Sequence, residues 1–280
     1  MINPDFVVKS LQNPRVKQAV RLRKRSVREE EKAVIIEGYR ELQSAVDNQI
    51  WPKTLFYCPD LFLGENELGL IARCQGQGTT TIECTERVFQ KIAYRDRPEG
   101  LLALSHQVTI RLVDLELTDN PFLIVAVGIE KPGNLGSILR SADAAGADAV
   151  IVCDGRTDIH NPNTVRASIG TLFCLPVAVA ESEEAICWLR GQGIRVVATT
   201  PDSNTDYFDL DLTRPLAITV GTEQIGLSQE WMNGADQKAR IPMFGQADSL
   251  NVANAAAVLL YEAMRQRRGL PSPKAQKVST

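Results

Sequence analysis

The chain has 280 residues, 44% of them hydrophobic, which is long for one domain and sufficient for two that each bury a core. Its formal net charge of −3 and pI near 5.6 argue against a nucleic-acid partner unless basic residues cluster locally. Six cysteines without a C-x-x-C pair, and only His106 and His160, argue against a zinc cluster, a disulfide framework or a Ser/His/Asp hydrolase centre, so no metal is expected.

The first residues, MINPDFVVKSLQNPRVKQAV, hold no secretory leader, and no stretch reaches the roughly 18 apolar residues that span a bilayer. A cytoplasmic protein without a membrane partner is the expectation. From Lys9 to Arg28 the chain carries Lys9, Arg15, Lys17, Arg21, Arg23, Lys24, Arg25 and Arg28 with no acid, and from Arg265 onward it is again purely basic. Such clusters suit phosphate backbones. A solvated helix face explains the first equally well, because Glu29, Glu30 and Glu31 follow directly.

After this arm, β-rich runs (AVIIEG, KTLFYC, TTIEC, GLLALS) alternate with helical patterns (YRELQSAVDNQ, ERVFQKIA), which predicts a small α/β domain over residues 1–105. The weakly patterned 106–120 serves as linker. A second domain over 121–270 opens with FLIVAVGIE, a continuous apolar run of a strand buried on both faces. A helix follows, with Ile138, Leu139, Ala142 and Ala145 at helical spacing and Gly146 at its C-terminal cap. DAVIVCD, ESEEAICWLRGQG, IRVVATT, PLAITVGTE, ARIPM and a helix from about Asn251 to Arg267 continue the alternation, so a parallel sheet covered on both faces is predicted. Residues 271–280 read as a disordered tail.

Ligands on parallel sheets gather beyond the carboxyl ends of the strands, and three stretches there carry polar residues. In EKPGNLGSILRSADAAGAD, Asn134 is either a helix cap or a functional group, and Arg140 either a surface ion-pair former or a reactive cation. VGTEQIGLS has Gly221 and Gly226 at phosphate-loop spacing, yet Leu227 stands where that motif needs lysine, so a glycine-rich turn carrying Glu223 remains. The third places Asp248, Ser249 and Asn251 ahead of a helix of small residues, where a single cap explains one polar residue but not three. The first stretch lacks G-x-G-x-x-G, which ranks a nicotinamide-dependent oxidoreductase low.

The three segments Asn134–Arg140 (NLGSILR), Gly221–Leu227 (GTEQIGL), and IPM from Ile241 followed by DSLNVANA from Asp248 resemble, in order and spacing, the motifs of the SpoU/TrmH family of RNA ribose methyltransferases in the SPOUT superfamily. SLQNPR, IEGYRE and RPEGLLA in the first half resemble the family's substrate-binding domain, an L30e-like α/β fold. The resemblance implies a trefoil-knotted catalytic domain, S-adenosylmethionine as cofactor, structured RNA of the 23S ribosomal type as substrate, and a homodimer through the knotted domain. It implies that Gly221, Ile241 and Leu250 contact the cofactor and that Arg140, Asn134, Glu223, Ser249 and Asn251 form the catalytic neighbourhood. Ala253 departs from the serine common after S-L-N-V, which removes one hydroxyl. Transfer RNA as substrate, or an RNA-binding protein without catalysis, are the alternatives.

Overall fold

A computed structural model describes residues 4–222 and 224–270; Glu223 and the tail expected to be disordered, 271–280, lie outside the described residues. The elements in chain order are β1 (Phe6–Val8), α1 (Pro14–Arg21), α2 (Arg25–Glu31), β2 (Ala33–Glu37), α3 (Tyr39–Asp47), β3 (Thr54–Tyr57), α4 (Glu67–Gly76), β4 (Thr80–Cys84), α5 (Glu86–Ile92) and β5 (Leu101–His106). There follow β6 (Phe122–Val127), α6 (Pro132–Ala145), β7 (Ala149–Cys153), α7 (Pro162–Ala167), β8 (Val177–Ala180), α8 (Ser182–Gly191), β9 (Arg195–Thr199), β10 (Leu216–Val220), α9 (Gln229–Gly234), β11 (Gln237–Ala239) and α10 (Val252–Arg267). They form two compact units, one running to Val108 and including Asp158–Cys174, the other containing Thr109–Thr157 and the chain from Leu175 onward.

The first unit holds a mixed sheet ordered β1-β4-β3-β5-β2, in which β1, β4 and β3 run parallel and β5 is antiparallel to both its neighbours. The basic arm is helical. Asn13 caps α1 by accepting the Arg15 N–H at 2.9 Å, and Pro14 opens the helix with its fixed φ. Val16, Ala19 and Leu22 then fall on one side and join Phe56, Ile82, Phe89 and Leu102 in the core. Arg28 is withdrawn from the basic cluster that the sequence suggested for phosphate. Only 1% exposed, it donates to Asp158 through Nε (3.1 Å) and Nη2 (2.5 Å) and to the carbonyls of Leu22 and Arg23 through Nη1. A buried guanidinium needs an anion and acceptors, and Asp158, distant in sequence, supplies the anion. On the same segment, Nε2 of the buried His160 lies 3.0 Å from the Val108 carbonyl oxygen, and burial pushes its imidazole below the ordinary value.

The second unit contains a six-stranded sheet ordered β11-β9-β10-β6-β7-β8, every pair parallel. All residues of β6, β7 and β10 are buried, which is why these strands read as unbroken apolar runs. Side chains alternate between faces. Leu123, Val125 and Val127 pack with Ala185, Leu189 and Trp231, whereas α6 and α10 lie against each other and over β6 and β10. The buried Trp231 Nε1 donates to Ser182 Oγ at 2.6 Å, and Ser182 Oγ donates to Asp154 Oδ2 at 2.6 Å, so the polar atoms beneath α8 and α9 are satisfied. α6 ends at Gly146, which adopts the left-handed φ of +75° expected of its cap.

Candidate active site

In a wholly parallel sheet every strand delivers its following loop to the same edge. β6 and β10 are neighbours, so the turn leading into α6 and the glycine loop after β10 emerge side by side. Their contact is close: Gly128, at φ +61°, leaves room where a Cβ would lie 2.9 Å from Thr222 Cγ2. The glycine loop is folded back on itself by paired hydrogen bonds between Thr222 and Gly226. Gly221 permits this, since a Cβ there would fall 2.3 Å from the Gly226 carbonyl carbon and 2.6 Å from the Leu227 nitrogen.

The third stretch starts further off, because β11 lies at the sheet edge, beyond β9 and β10 from β6. Residues 240–250 cross back over the strand ends, and Asn251 Nδ2 donates to Asn134 Oδ1 at 3.2 Å. Asn251 also caps α10, its Oδ1 accepting the Ala253 N–H at 3.0 Å. This asparagine therefore both caps α10 and links the third stretch to the first. Asn134 is not a cap, since Lys131 occupies that position and Asn134 is the third residue of α6.

Asn134 in the first turn of α6, and Gly221, Ile241, Ser249, Leu250 and Asn251 in the loops, thus follow strands of the one parallel sheet. Ile241 is half-buried while Ser249, Leu250 and Asn251 are exposed. Arg140 stands apart. Six residues along a helix is a rotation of about 240°, so Arg140 projects from α6 about 120° away from Asn134 and about 9 Å further along. It is exposed on the stripe Gly133, Ser137, Arg140 and Ala144, and among the described residues it has no hydrogen-bond or ion-pair partner. Glu223 lies outside the described residues.

Three features of this edge were not anticipated from sequence. Gly128 sets the approach of the two loops, and its only advance signal is a glycine ending a buried run. Ile225 and Phe244, 76% and 96% exposed, add apolar surface beside Leu250 on the two loops. Thr219 Oγ1, fully buried in β10 two residues before Gly221, has no hydrogen-bond partner among the described residues.

A parallel α/β sheet with a glycine loop against the turn after β6, and with the segment ahead of α10 reaching α6, is an α/β ligand-binding architecture without a dinucleotide fingerprint. The chain belongs to the SpoU rRNA methylase family, whose pattern matches residues 121–261; an MRM3-like substrate binding domain matches residues 13–103. It is 35% identical over 243 residues to the 23S rRNA (uridine(2479)-2'-O)-methyltransferase of Streptomyces viridochromogenes, covering 83% of each chain. It is 29% identical over 257 residues to the Bacillus subtilis 23S rRNA (guanosine(2553)-2'-O)-methyltransferase RlmP, covering 91% of this chain and 97% of that one. Among solved structures, an AdoMet-bound rRNA methyltransferase from Sinorhizobium meliloti is similar with a TM-score of 0.85 and 36% identity, over 95% of this chain and 98% of that chain. No described helix is long and apolar enough to cross a membrane.

Proposed function

We propose that the chain transfers a methyl group from S-adenosylmethionine to a ribose 2'-hydroxyl of 23S-type ribosomal RNA, in the cytoplasm, as a homodimer. One observation carries this: Asn251 reaches Asn134 and so links the third polar stretch to the first, which Gly128 brings beside the glycine loop. The residues present suit the cofactor. Gly221 keeps side chains out of the loop wall, and Ile225, Phe244 and Leu250 offer apolar surface to a purine, with Ile241 at the start of the crossing segment. When bound, the cofactor supplies a methyl already activated on a sulfonium.

The protein has two tasks: to place the ribose oxygen in line with that methyl and to ease loss of its proton. Arg140 is the cation for the second. A guanidinium with no partner among the described residues can hold an RNA phosphate or the developing negative oxygen, so Arg140 acts as a stabiliser, the proton passing to water or phosphate. Asn134, Ser249 and Asn251 position the ribose, and Glu223 supports the glycine loop. Because Arg140 and Asn134 face different directions on α6, the exposed stripe of α6 together with Tyr261 of α10, 48% exposed, forms the surface on which a second copy packs. A trefoil knot belongs to the same reading, and it is supported by Gln266 and Arg267 of α10 donating to the carbonyls of Leu210 and Arg214 in the connection from β9 to β10.

This reading assigns RNA binding to residues 1–105, a linker to 106–120 and catalysis to 121–270, with Asp158–Cys174 grouped in the first compact unit. Incubation with ribosomal RNA and methyl-labelled cofactor, then digestion to nucleosides, tests the assignment. It predicts label in a 2'-O-methyl nucleoside; label in a base, or none, contradicts it.

A further inference from the structure

The first unit contains a cleft of about 500 Å³ that the methyl-transfer chemistry leaves unused, lined by Tyr39, Arg40, Glu41, Glu67, Arg95 and Arg166 among others. Its floor is acidic. Arg95 donates to Glu41 Oε1 at 2.5 Å and pairs with Glu99, while Glu37 accepts the backbone N–H groups of Tyr94 and Arg95. Burial pushes the Glu37 and Glu41 carboxyls up. The rim is basic: Arg40 and Arg166 are exposed and, among the described residues, unpaired.

Two buried polar atoms of this cleft lack partners. Glu67 is 4% exposed; its Oε1 accepts the Gly64 N–H at 2.9 Å, but Oε2 has no partner, and neither does Arg95 Nε. A buried carboxylate oxygen without a donor is unfavourable, and a bound group carrying donors would recover that cost. Glu67 is the acid of the first turn of α4, and only its Oε1 is used there, by the Gly64 N–H. An unpartnered acceptor and an unpartnered donor in the lining, a half-exposed aromatic ring, and two guanidinium groups without partners among the described residues match the parts of one nucleotide.

We propose that this cleft binds a single unstacked guanine nucleotide of the RNA substrate, with Glu67 accepting from the base. Guanine presents two adjacent donors, N1–H and the N2 amino group, beside the O6 acceptor. Tyr39 supplies the stacking platform and Arg40 and Arg166 the phosphate contacts, the usual division of labour in recognition of single-stranded RNA. The inference rests on the RNA-methyltransferase assignment and adds a sequence-reading subsite distinct from the methyl-transfer edge.

The test uses the full chain and fluorescent five-nucleotide RNAs, AAGAA, AAAAA and AAIAA, where inosine lacks the N2 amino group. Wild type should bind AAGAA about tenfold more tightly than either of the others. Glu67→Gln should remove that preference, whereas Arg166→Ala should weaken all three alike and lower the salt dependence. Equal wild-type affinity for the three RNAs overturns the proposal without any variant, as does a Glu67→Gln protein that keeps the preference. Cofactor binding by calorimetry and methyl transfer to ribosomal RNA are run in parallel: if both are normal while guanine preference is absent, the cleft assignment alone fails. If both are absent, the enzymatic assignment fails.

Discussion

Asn251 donates its side-chain amide to Asn134 across 3.2 Å, joining residues that are 117 positions apart. Its carbonyl oxygen meanwhile caps α10. The same side chain therefore fixes where the C-terminal helix starts and how far the crossing segment lies from α6.

Substitution at the two ends of this link separates its roles. Asn251→Ala loses a cap worth about 1 kcal/mol and lowers the melting temperature by a few degrees, whereas Asn134→Ala leaves thermal unfolding nearly unchanged. Both should lower kcat by at least about tenfold if the ribose is positioned here. Unchanged kcat in Asn134→Ala would show that the contact is only structural.

At Gly221 the neighbouring atoms are backbone, which cannot rotate aside, so a methyl group forces the loop open. Gly221→Ala is expected to weaken S-adenosylmethionine binding by more than about tenfold while the first unit unfolds as before. Calorimetric titration checks the first statement and unit-resolved hydrogen exchange the second.

Removing Arg28 leaves Asp158 buried without its cation. Arg28→Ala should destabilise the first unit by about 3–5 kcal/mol, and a double substitution with Asp158→Asn should recover part of the loss. Denaturant unfolding of the full chain, followed through a probe in the first unit, measures both.

Acidification tests His160. Its folded pKa lies below the ordinary 6.5 because burial outweighs the opposing influence of Asp158, while Arg28 lowers it further. The unfolded chain therefore takes up the proton more readily, and stability present above about pH 6.5 is lost as the pH falls toward the folded value. Glu37 and Glu41 act in the opposite sense: their raised carboxyls contribute most at low pH, and that contribution is lost as pH rises through their folded values. His160→Gln retains the glutamate contribution and should flatten the decline between about pH 7.5 and about pH 5.5. An unchanged slope would remove His160 from the account.

The parallel sheet was legible because β6, β7 and β10 are buried on both faces, so their apolar runs are continuous, and α6 and α10 were marked by spacing and caps. The basic arm was legible only as a solvated helix face, without its buried side. Asn13-Pro14 is an explicit start signal, yet the density of positive charge drew attention from Val16, Ala19 and Leu22, which bury one side of the arm. α7 and β8 are too short for periodicity to register, and the partnership of Arg28 with Asp158 depends on tertiary placement alone. At the site, Asn134, Gly221 and Asn251 stood out as polar or glycine residues beyond strand ends. Gly128 did not, because its role is to let Thr222 approach. The direction of Arg140 follows from helical rotation once α6 is fixed.

The most direct test is methyl transfer to ribosomal RNA by Arg140→Ala, measured beside cofactor affinity and thermal unfolding. The account predicts turnover reduced by at least about a hundredfold, with folding and S-adenosylmethionine binding within about twofold of wild type. Turnover close to wild type would contradict it.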